Sequence, residues 1–183
     1  MQRTLVEAAK AGDNDAFEVL VTAAADRLYA IACLILRDRE QAADAFQETL
    51  VKAWRQLPTL RDDDRFDAWI RKLLVNACAD AGRSQRRWTA EIRVLQVEPI
   101  MDDESVRYAD HDLIERAFRR LTPDQRVVAV LHYYEDLSHA EIAEIVGIPA
   151  GTAKSRLHYA TEALRAAIAA DTRAPHASTG QSA

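Results

Sequence analysis

The chain has 183 residues, of which 49% are hydrophobic, and its formal net charge is -5. This composition excludes a largely disordered chain, and the length suits one ordinary domain or two small ones. No alternating strand pattern of useful length occurs, so the sequence predicts an all-α fold. No signal peptide is recognisable and no apolar run approaches the roughly 18 residues of a membrane span, which predicts a cytoplasmic protein without membrane insertion.

Three amphipathic helices are predicted in the first part of the chain, over about residues 13–36, 39–57 and 66–87. Their apolar residues recur at steps of three and four, as a buried stripe requires. Asp13 or Asp15 can cap the first helix, and Pro58 ends the second. The predicted buried stripe of the second helix consists of Ala42, Phe46, Leu50, Ala53, Trp54 and Leu57. The three helices can bury one another and form a first domain, residues 1–88.

The charges are segregated after this domain. Residues 71–93 are mainly basic and residues 98–112 are mainly acidic. Periodicity fades after Trp88, which predicts an acidic linker over residues 89–109. A basic helix end followed by a linker that nucleic acid repels suits a DNA-binding protein. Solvated faces and a loop explain the same charges equally well.

A second small helical domain is predicted over residues 110–170. Two capping boxes mark helix starts within it, one from Thr122 to Gln125 and one from Ser138 to Glu141. The composition of residues 171–183 predicts a disordered tail.

The segment that follows Ser138 has the pattern of a helix-turn-helix. Gly147 supplies a left-handed turn residue, Ile148 fills the corner, and Pro149 prevents simple continuation of the helix. A new helix is predicted near Ala150, with Ala153, Leu157, Ala160, Leu164 and Ile168 buried. Its outward face carries groups that can contact phosphates and base edges: Thr152, Lys154, Ser155, Arg156, His158 and Tyr159. A plain helical hairpin with a polar exterior remains the alternative.

Several strings in this order and spacing resemble the extracytoplasmic-function (ECF) sigma factors of bacterial RNA polymerase. Residues 44–54 resemble the family's D-x-x-Q-E-T-x-x-x-A-W signature. Residues 65–83 are similar to its F-x-x-W-[LI]…N-x-x-x-D-x-x-R helix, and three strings between residues 121 and 157 are similar to its second domain. The resemblance covers roughly residues 13–168. Tyr159 departs from it, because relatives commonly carry arginine there.

The resemblance implies a factor without cofactor, metal or catalytic residues, which binds core RNA polymerase and promoter DNA as duplex and as melted single strand. It also suggests an anti-sigma partner. The implied polymerase-binding residues are Asp44, Gln47, Glu48 and Lys52. The implied contacts to the -10 element, beside the loop at residues 59–65, are Arg65, Asn76, Asp80, Arg83, Arg86 and Arg87. The implied contacts to the -35 element are Thr152, Lys154, Ser155, Arg156, His158 and Tyr159.

Two other classes of function compete with this interpretation. A stand-alone helix-turn-helix regulator explains the second domain equally well, but not the exposed acidic and amide face of the second helix. An enzyme could use residues 62–64 as metal ligands and His132 or His139 as a base, but consecutive aspartates point in different directions. Cys33 and Cys78 are expected to be buried small hydrophobic residues rather than ligands or a disulfide.

Overall fold

Helices make up the fold of the computed structural model, which describes residues 1–94 and 116–173, without side chains for residues 84–94 and 171–173. Within these ranges no strand occurs, so the prediction of an all-α fold is confirmed. The helices are α1 (Gln2–Lys10), α2 (Asn14–Leu36), α3 (Arg39–Gln56), α4 (Phe66–Val94), α5 (Pro123–Tyr133), α6 (His139–Val146) and α7 (Ala150–Arg173). Two 3-10 helices, Leu57–Thr59 and Asp63–Arg65, connect α3 to α4, and residues 116–119 are also helical.

Helix α1 was not predicted from the sequence. Its Val6 and Ala9 are buried against the core. The Nζ of Lys10 donates to the carbonyl of Leu60 at 2.7 Å and to Oδ1 of Asp63 at 2.8 Å. These contacts hold the end of α1 against the loop at residues 59–65, which is the predicted promoter loop.

Helices α2 and α3 begin where the sequence predicts, each at an aspartate cap. Asp13 accepts from the backbone N–H groups of Asp15 and Ala16, and Asp38 accepts from that of Gln41. These caps satisfy N–H groups that the first turn of a helix leaves without a partner. Helix α4 extends to Val94, beyond the predicted end at residue 87, so the first residues of the expected linker are helical.

Helix α2 is long and apolar enough, by length and composition, to cross a membrane. The prediction that no segment approaches such a length is therefore wrong. One such helix is weak evidence for a span, because the core helix of a soluble protein passes the same test. Here α2 packs against α1, α3, α4 and α5, and its buried residues include Leu20, Ile31 and Ile35.

The helix-turn-helix is formed by α6, α7 and the turn between them, as predicted. Ser138 and Glu141 make the reciprocal bonds of a capping box, and the pKa of Glu141 is lowered by its bonds to the Ser138 hydroxyl and backbone N–H. Gly147 has φ 74°, the left-handed conformation that glycine adopts without strain. The N–H groups of Gly147 and Ile148 both donate to the carbonyl of Ala143, which closes the turn.

The buried stripe of α7 is shorter than predicted. Ala153, Leu157 and Ala160 are buried, whereas Leu164 is half-buried and Ile168 is exposed. Burial of Ile168 was therefore predicted wrongly. Leu164 packs against a small second cluster formed by Leu121, Ala129 and Ala160.

The two halves of the chain share one apolar core, which the sequence did not predict. Buried residues of α2 and α4, such as Ile31 and Leu74, belong to the same cluster as Val128 and Leu131 of α5 and Ile142 of α6. Helix α2 packs on α5, and α4 packs on α6. The first half is thus not closed on itself but uses the second half to complete its core.

A polar contact crosses the same boundary at Arg126 of α5. One of its Nη groups donates to the carbonyl of Ile35 at 3.0 Å and the other to that of Leu121 at 3.1 Å. The Ile35 carbonyl lies in the last turn of α2, where carbonyls lack helical partners. Burial lowers the pKa of Arg126, with a smaller contribution from Arg37.

The two cysteines differ in environment, which gives a testable expectation. Cys78 is 1% exposed, and burial raises the pKa of its thiol to about 12, whereas Cys33 is only half-buried. At pH 8 about one Cys78 thiol in 10,000 is then a thiolate, the reactive form. We expect iodoacetamide to modify Cys33 first and Cys78 only when the chain unfolds, as followed by mass spectrometry. The two thiols should react at equal rates in denaturant, which serves as the reference. Equal modification rates of Cys33 and Cys78 in the native protein would contradict the expectation.

Candidate partner-binding and nucleic-acid-binding surfaces

The first candidate surface is the outward face of α3. Its buried side is formed by Ala42, Ala45, Thr49 and Ala53. On the opposite side Asp44, Gln47 and Glu48 are exposed, and half-buried Lys52 forms an ion pair with Glu48 at 2.7 Å. The four residues predicted to bind polymerase therefore lie together on one accessible face.

Two apolar side chains extend this face. Val51 and Trp54 are both exposed, although Trp54 was predicted to be buried. The Trp54 ring contacts Phe17 edge-on at a centroid distance of 4.9 Å, so one edge packs inward while the other lies at the surface. Exposed aromatic and aliphatic groups beside charged ones are typical of protein-binding surfaces.

The second candidate surface combines the loop at residues 59–65 with the outward face of α4. Arg65, Asn76, Asp80 and Arg83 are all exposed, and Arg83 is bound to Asp80 one turn away. The Arg83 charge is therefore partly neutralised before any nucleic acid arrives. Two further predicted residues, Arg86 and Arg87, fall on the part of α4 whose side chains lie outside the described residues.

Arg65 has a partner that could not be predicted from the sequence. Its Nη2 donates to both carboxylate oxygens of Glu144 in α6, at 2.8 and 2.9 Å. This hydrogen bonding, together with the charge of Glu144, raises the pKa of Arg65. The predicted -10 contact is thus occupied by a carboxylate of the helix-turn-helix.

The third candidate surface is the outward face of the first turns of α7. Lys154, Ser155, His158 and Tyr159 are exposed, and Thr152 and Arg156 are half-buried. The arrangement presents a cation, hydroxyls and rings on one side of a helix that the turn projects outward, as DNA-binding helix-turn-helix proteins do.

Arg156 is held in place by a neighbouring helix. Its Nη2 lies 2.8 Å from Oδ2 of Asp124 in the first turn of α5. Asp124 is exposed, so this pair is accessible to competing phosphate or base acceptors. The contact orients the arginine along the face without burying it.

Glu135 lies at the boundary between the two halves, and the sequence analysis missed it. Its side chain is 0% exposed, with Oε1 2.7 Å from Nε of Arg27 in α2 and Oε2 3.1 Å from Nε of Arg71 in α4. The hydrogen bond to Glu135 raises the pKa of Arg27. No local signal marks this residue, because both partners are distant in sequence.

The carboxylates at residues 62–64 are engaged in contacts within the fold. Asp62 caps a 3-10 helix, Asp63 pairs with Lys10, and Asp64 lies 3.6 Å from Arg3. Among the described residues there is no group of three or more histidine, cysteine, aspartate or glutamate side chains arranged to hold a metal ion.

Comparison with known proteins gives the class of this two-part helical chain. Residues 20–88 match the model of Sigma-70 region 2, and residues 111–164 match the model of Sigma-70 region 4. The region 2 match contains the candidate surfaces on α3 and α4, and the region 4 match contains the helix-turn-helix. Both regions define a Sigma-70-type transcription initiation factor.

Comparison with individual relatives identifies the family more narrowly. The chain is 32% identical over 154 residues to the RNA polymerase sigma-E factor of Streptomyces coelicolor, with 84% of this chain and 86% of the relative covered. It is 37% identical over 142 residues to the ECF RNA polymerase sigma factor SigL of Mycobacterium tuberculosis, with 75% and 80% covered. The chain belongs to the ECF family of RNA polymerase sigma factors, and the resemblance noted from its motifs is confirmed.

Solved structures agree with this assignment. The sigma factor RpoE in complex with the anti-sigma factor NepR from Bartonella quintana matches with a TM-score of 0.69 at 25% identity, covering 85% of this chain and 98% of that one. CnrH in complex with the cytosolic domain of CnrY matches with a TM-score of 0.66 at 25% identity, covering 93% and 98%.

Proposed function

We propose that this chain binds core RNA polymerase through the outward face of α3 and directs initiation at promoters with specific -10 and -35 elements. The observation that carries the proposal is the ordered match to Sigma-70 regions 2 and 4 on either side of a connecting segment. The factor acts in the cytoplasm, where polymerase works, and positions DNA without catalysing a reaction. We assign the -10 functions to residues 1–88 and the -35 function to residues 110–170, with residues 89–109 as linker.

In the first domain, α3 contacts polymerase, and the 59–65 loop and α4 contact the -10 element. The carboxylates and amide of α3 suit basic or polar groups on polymerase, and Val51 and Trp54 add apolar contact area. The 59–65 loop, braced by α1, and the exposed polar face of α4 suit an extruded base and its backbone. Melting of the -10 element would therefore occur beside Arg65 and Asn76.

In the second domain, the outward face of α7 enters the major groove of the -35 element. Arg156 and Lys154 can reach phosphates or guanine acceptors, and the hydroxyls of Thr152 and Ser155 can bond to the backbone or to base edges. Exposed Tyr159 replaces a cation of many relatives, so phosphate affinity is modest and promoter binding depends on polymerase.

An anti-sigma factor is the proposed negative regulator. The structural relative from Bartonella quintana was solved with such a partner. An inhibitor that covers both domains would hide the α4 and α7 faces together. Isolation of the chain from its uninduced host without any co-purifying inhibitor would count against this partner.

The direct test is co-elution of the purified chain with bacterial core RNA polymerase, followed by opening of a cognate promoter. Both are expected. A stand-alone regulator would instead bind duplex DNA tightly and specifically without polymerase and show no affinity for inhibitor-free core.

Carboxylate variants of α3 test the polymerase-binding face. We expect Asp44→Ala or Glu48→Ala to weaken the association with core, because each removes a charge that polymerase would otherwise pair. Binding of a -35 duplex should not change. Titration of labelled core against each variant measures the effect, and Glu162→Gln, which breaks an exposed pair with Arg165 inside α7, is the control. Wild-type affinity for core in both alanine variants would remove α3 from the interface.

A further inference from the structure

Arg156, on the outward face of α7, forms an ion pair with a residue of a different helix. Its Nη2 lies 2.8 Å from Oδ2 of Asp124, in the first turn of α5. The side chain of Arg156 is 30% exposed and that of Asp124 is 63% exposed, so both charges remain in contact with solvent. The capping box of Thr122 and Gln125 fixes the backbone on both sides of Asp124. The carboxylate is therefore held at the edge of the face that carries Arg156.

Helices α5 and α7 are joined by contacts other than this ion pair. Ala129 of α5 and Ala160 of α7 are both 0% exposed and belong to one apolar cluster. At the other end of α5, the hydroxyl oxygens of Tyr133 and Thr161 are 2.9 Å apart. An exposed ion pair adds little to stability. The main consequence of the Asp124–Arg156 pair is therefore the position of the guanidinium.

The carboxylate of Asp124 changes which acceptors Arg156 favours. A guanidinium has five N–H donors and bidentate recognition of guanine uses two of them, so one ion pair leaves enough donors for a base edge. A phosphate that approaches this guanidinium also approaches the charge of Asp124. The two anions repel each other, because they lie within the Debye length of about 8 Å. The neutral O6 and N7 acceptors of guanine meet no such repulsion.

Other side chains on the same face of α7 can supply the phosphate contacts. Lys154 and Ser155 are exposed just before Arg156, and Thr152 lies one turn earlier. A lysine ammonium binds phosphate as a point charge, whereas the planar guanidinium suits bidentate recognition. The face thus has one set of groups for the DNA backbone and another for the bases.

We propose that Asp124 is a positioning residue that determines specificity at the -35 surface. Its carboxylate holds the Arg156 guanidinium and keeps it from phosphate, so that Arg156 binds a base edge in the major groove. This inference rests on the proposed function, since it requires that Arg156 contacts the -35 element.

The test uses holoenzyme assembled from the full chain and core polymerase. Promoter fragments are selected with wild-type holoenzyme from a library randomised across the -35 element, and the selected fragment is then substituted one base pair at a time. Fluorescence anisotropy gives the Kd of each fragment at several salt concentrations. The ratio of the Kd of a substituted fragment to that of the selected fragment is the discrimination at that base pair.

Asp124→Asn removes the charge and keeps the size of the side chain. At the base pair that Arg156 reads, discrimination should fall about fivefold, because the released arginine binds phosphate in the substituted fragments. The slope of log Kd against log salt should rise by about 1, the value for one added phosphate contact. Asp124→Glu keeps the carboxylate and should retain most of the discrimination. Wild-type discrimination or a wild-type salt slope in Asp124→Asn overturns the inference.

Glu162→Gln is the matched control for the change of charge. It removes one negative charge from an exposed ion pair with Arg165 inside α7. Discrimination should stay at the wild-type value at every base pair. An equal loss of discrimination in this variant would assign the effect to general charge rather than to the position of Asp124, and would overturn the inference.

The variant Arg156→Ala separates this inference from the proposed function. Its binding of the selected fragment should be weakened, and adding Asp124→Asn should cause no further loss of discrimination. If Arg156→Ala changes neither affinity nor discrimination, Arg156 does not contact the -35 element and both proposals fail. If Arg156→Ala weakens binding but Asp124→Asn still lowers discrimination in its presence, Asp124 does not act through Arg156 and only this inference is overturned.

Discussion

Replacement of Arg156 by alanine is expected to weaken binding of the -35 element by about 1–3 kcal/mol, which is roughly 5- to 150-fold in affinity. The side chain lies in the middle of the outward face of α7, and Asp124 orients it along that face at 2.8 Å. Loss of a bidentate contact to a guanine, or of a close phosphate contact, gives an effect of this size. Fluorescence anisotropy with holoenzyme and a promoter fragment, at one fixed salt concentration, measures it.

Arg165→Ala provides the matched control for Arg156. It removes the same charge from the same helix at an exposed position where Arg165 pairs with Glu162. If the two variants weaken binding equally, Arg156 contributes only general charge, and the assignment of a specific contact is wrong. Asp124→Asn should leave affinity close to wild type, because it releases the arginine without removing it.

Leu131→Ala is expected to lower the free energy of unfolding by about 2–5 kcal/mol, the cost of a cavity at a fully buried leucine. Leu131 is 0% exposed and belongs to the core shared by both halves. Because the core is continuous, the whole chain should unfold in one cooperative transition, shifted to lower denaturant. Circular dichroism and tryptophan fluorescence in urea report this, since all three tryptophans lie outside the second half.

Val19→Ala is the control for Leu131. Val19 is exposed on α2, and its truncation should change the stability by no more than about 0.5 kcal/mol. Two separate transitions, with Leu131→Ala shifting circular dichroism but leaving tryptophan fluorescence unchanged, would contradict the shared core.

Local features of the fold could be predicted because neighbouring residues determine them. The capping box at Ser138 and the left-handed turn at Gly147 depend on backbone groups within four residues. The exposed position of Asp44 and Glu48 follows from helical periodicity alone. Family membership was recognised for the same reason, since its motifs are short strings at fixed spacing.

Contacts between distant segments could not be predicted in this way. Glu135 occupies a short connection with nothing in its neighbourhood to indicate that Arg27 and Arg71 enclose it. The prediction that Trp54 is buried was wrong because periodicity places the ring on one side of the helix but does not show how far the neighbouring helix covers it. Helix α1 was missed because it is short, and its stability depends on packing of Val6 and Ala9 against the core and on the contacts of Lys10 with Leu60 and Asp63.

The contact between α1 and the 59–65 loop bears on how promoter recognition can differ between related sigma factors. Lys10 fastens the end of α1 to the 59–65 loop, yet the match to Sigma-70 region 2 begins only at residue 20. The loop is therefore held in part by a residue outside the matched residues 20–88. If the loop accepts an extruded base as proposed, changes in the first ten residues are expected to alter how easily it does so while every residue of the loop stays the same.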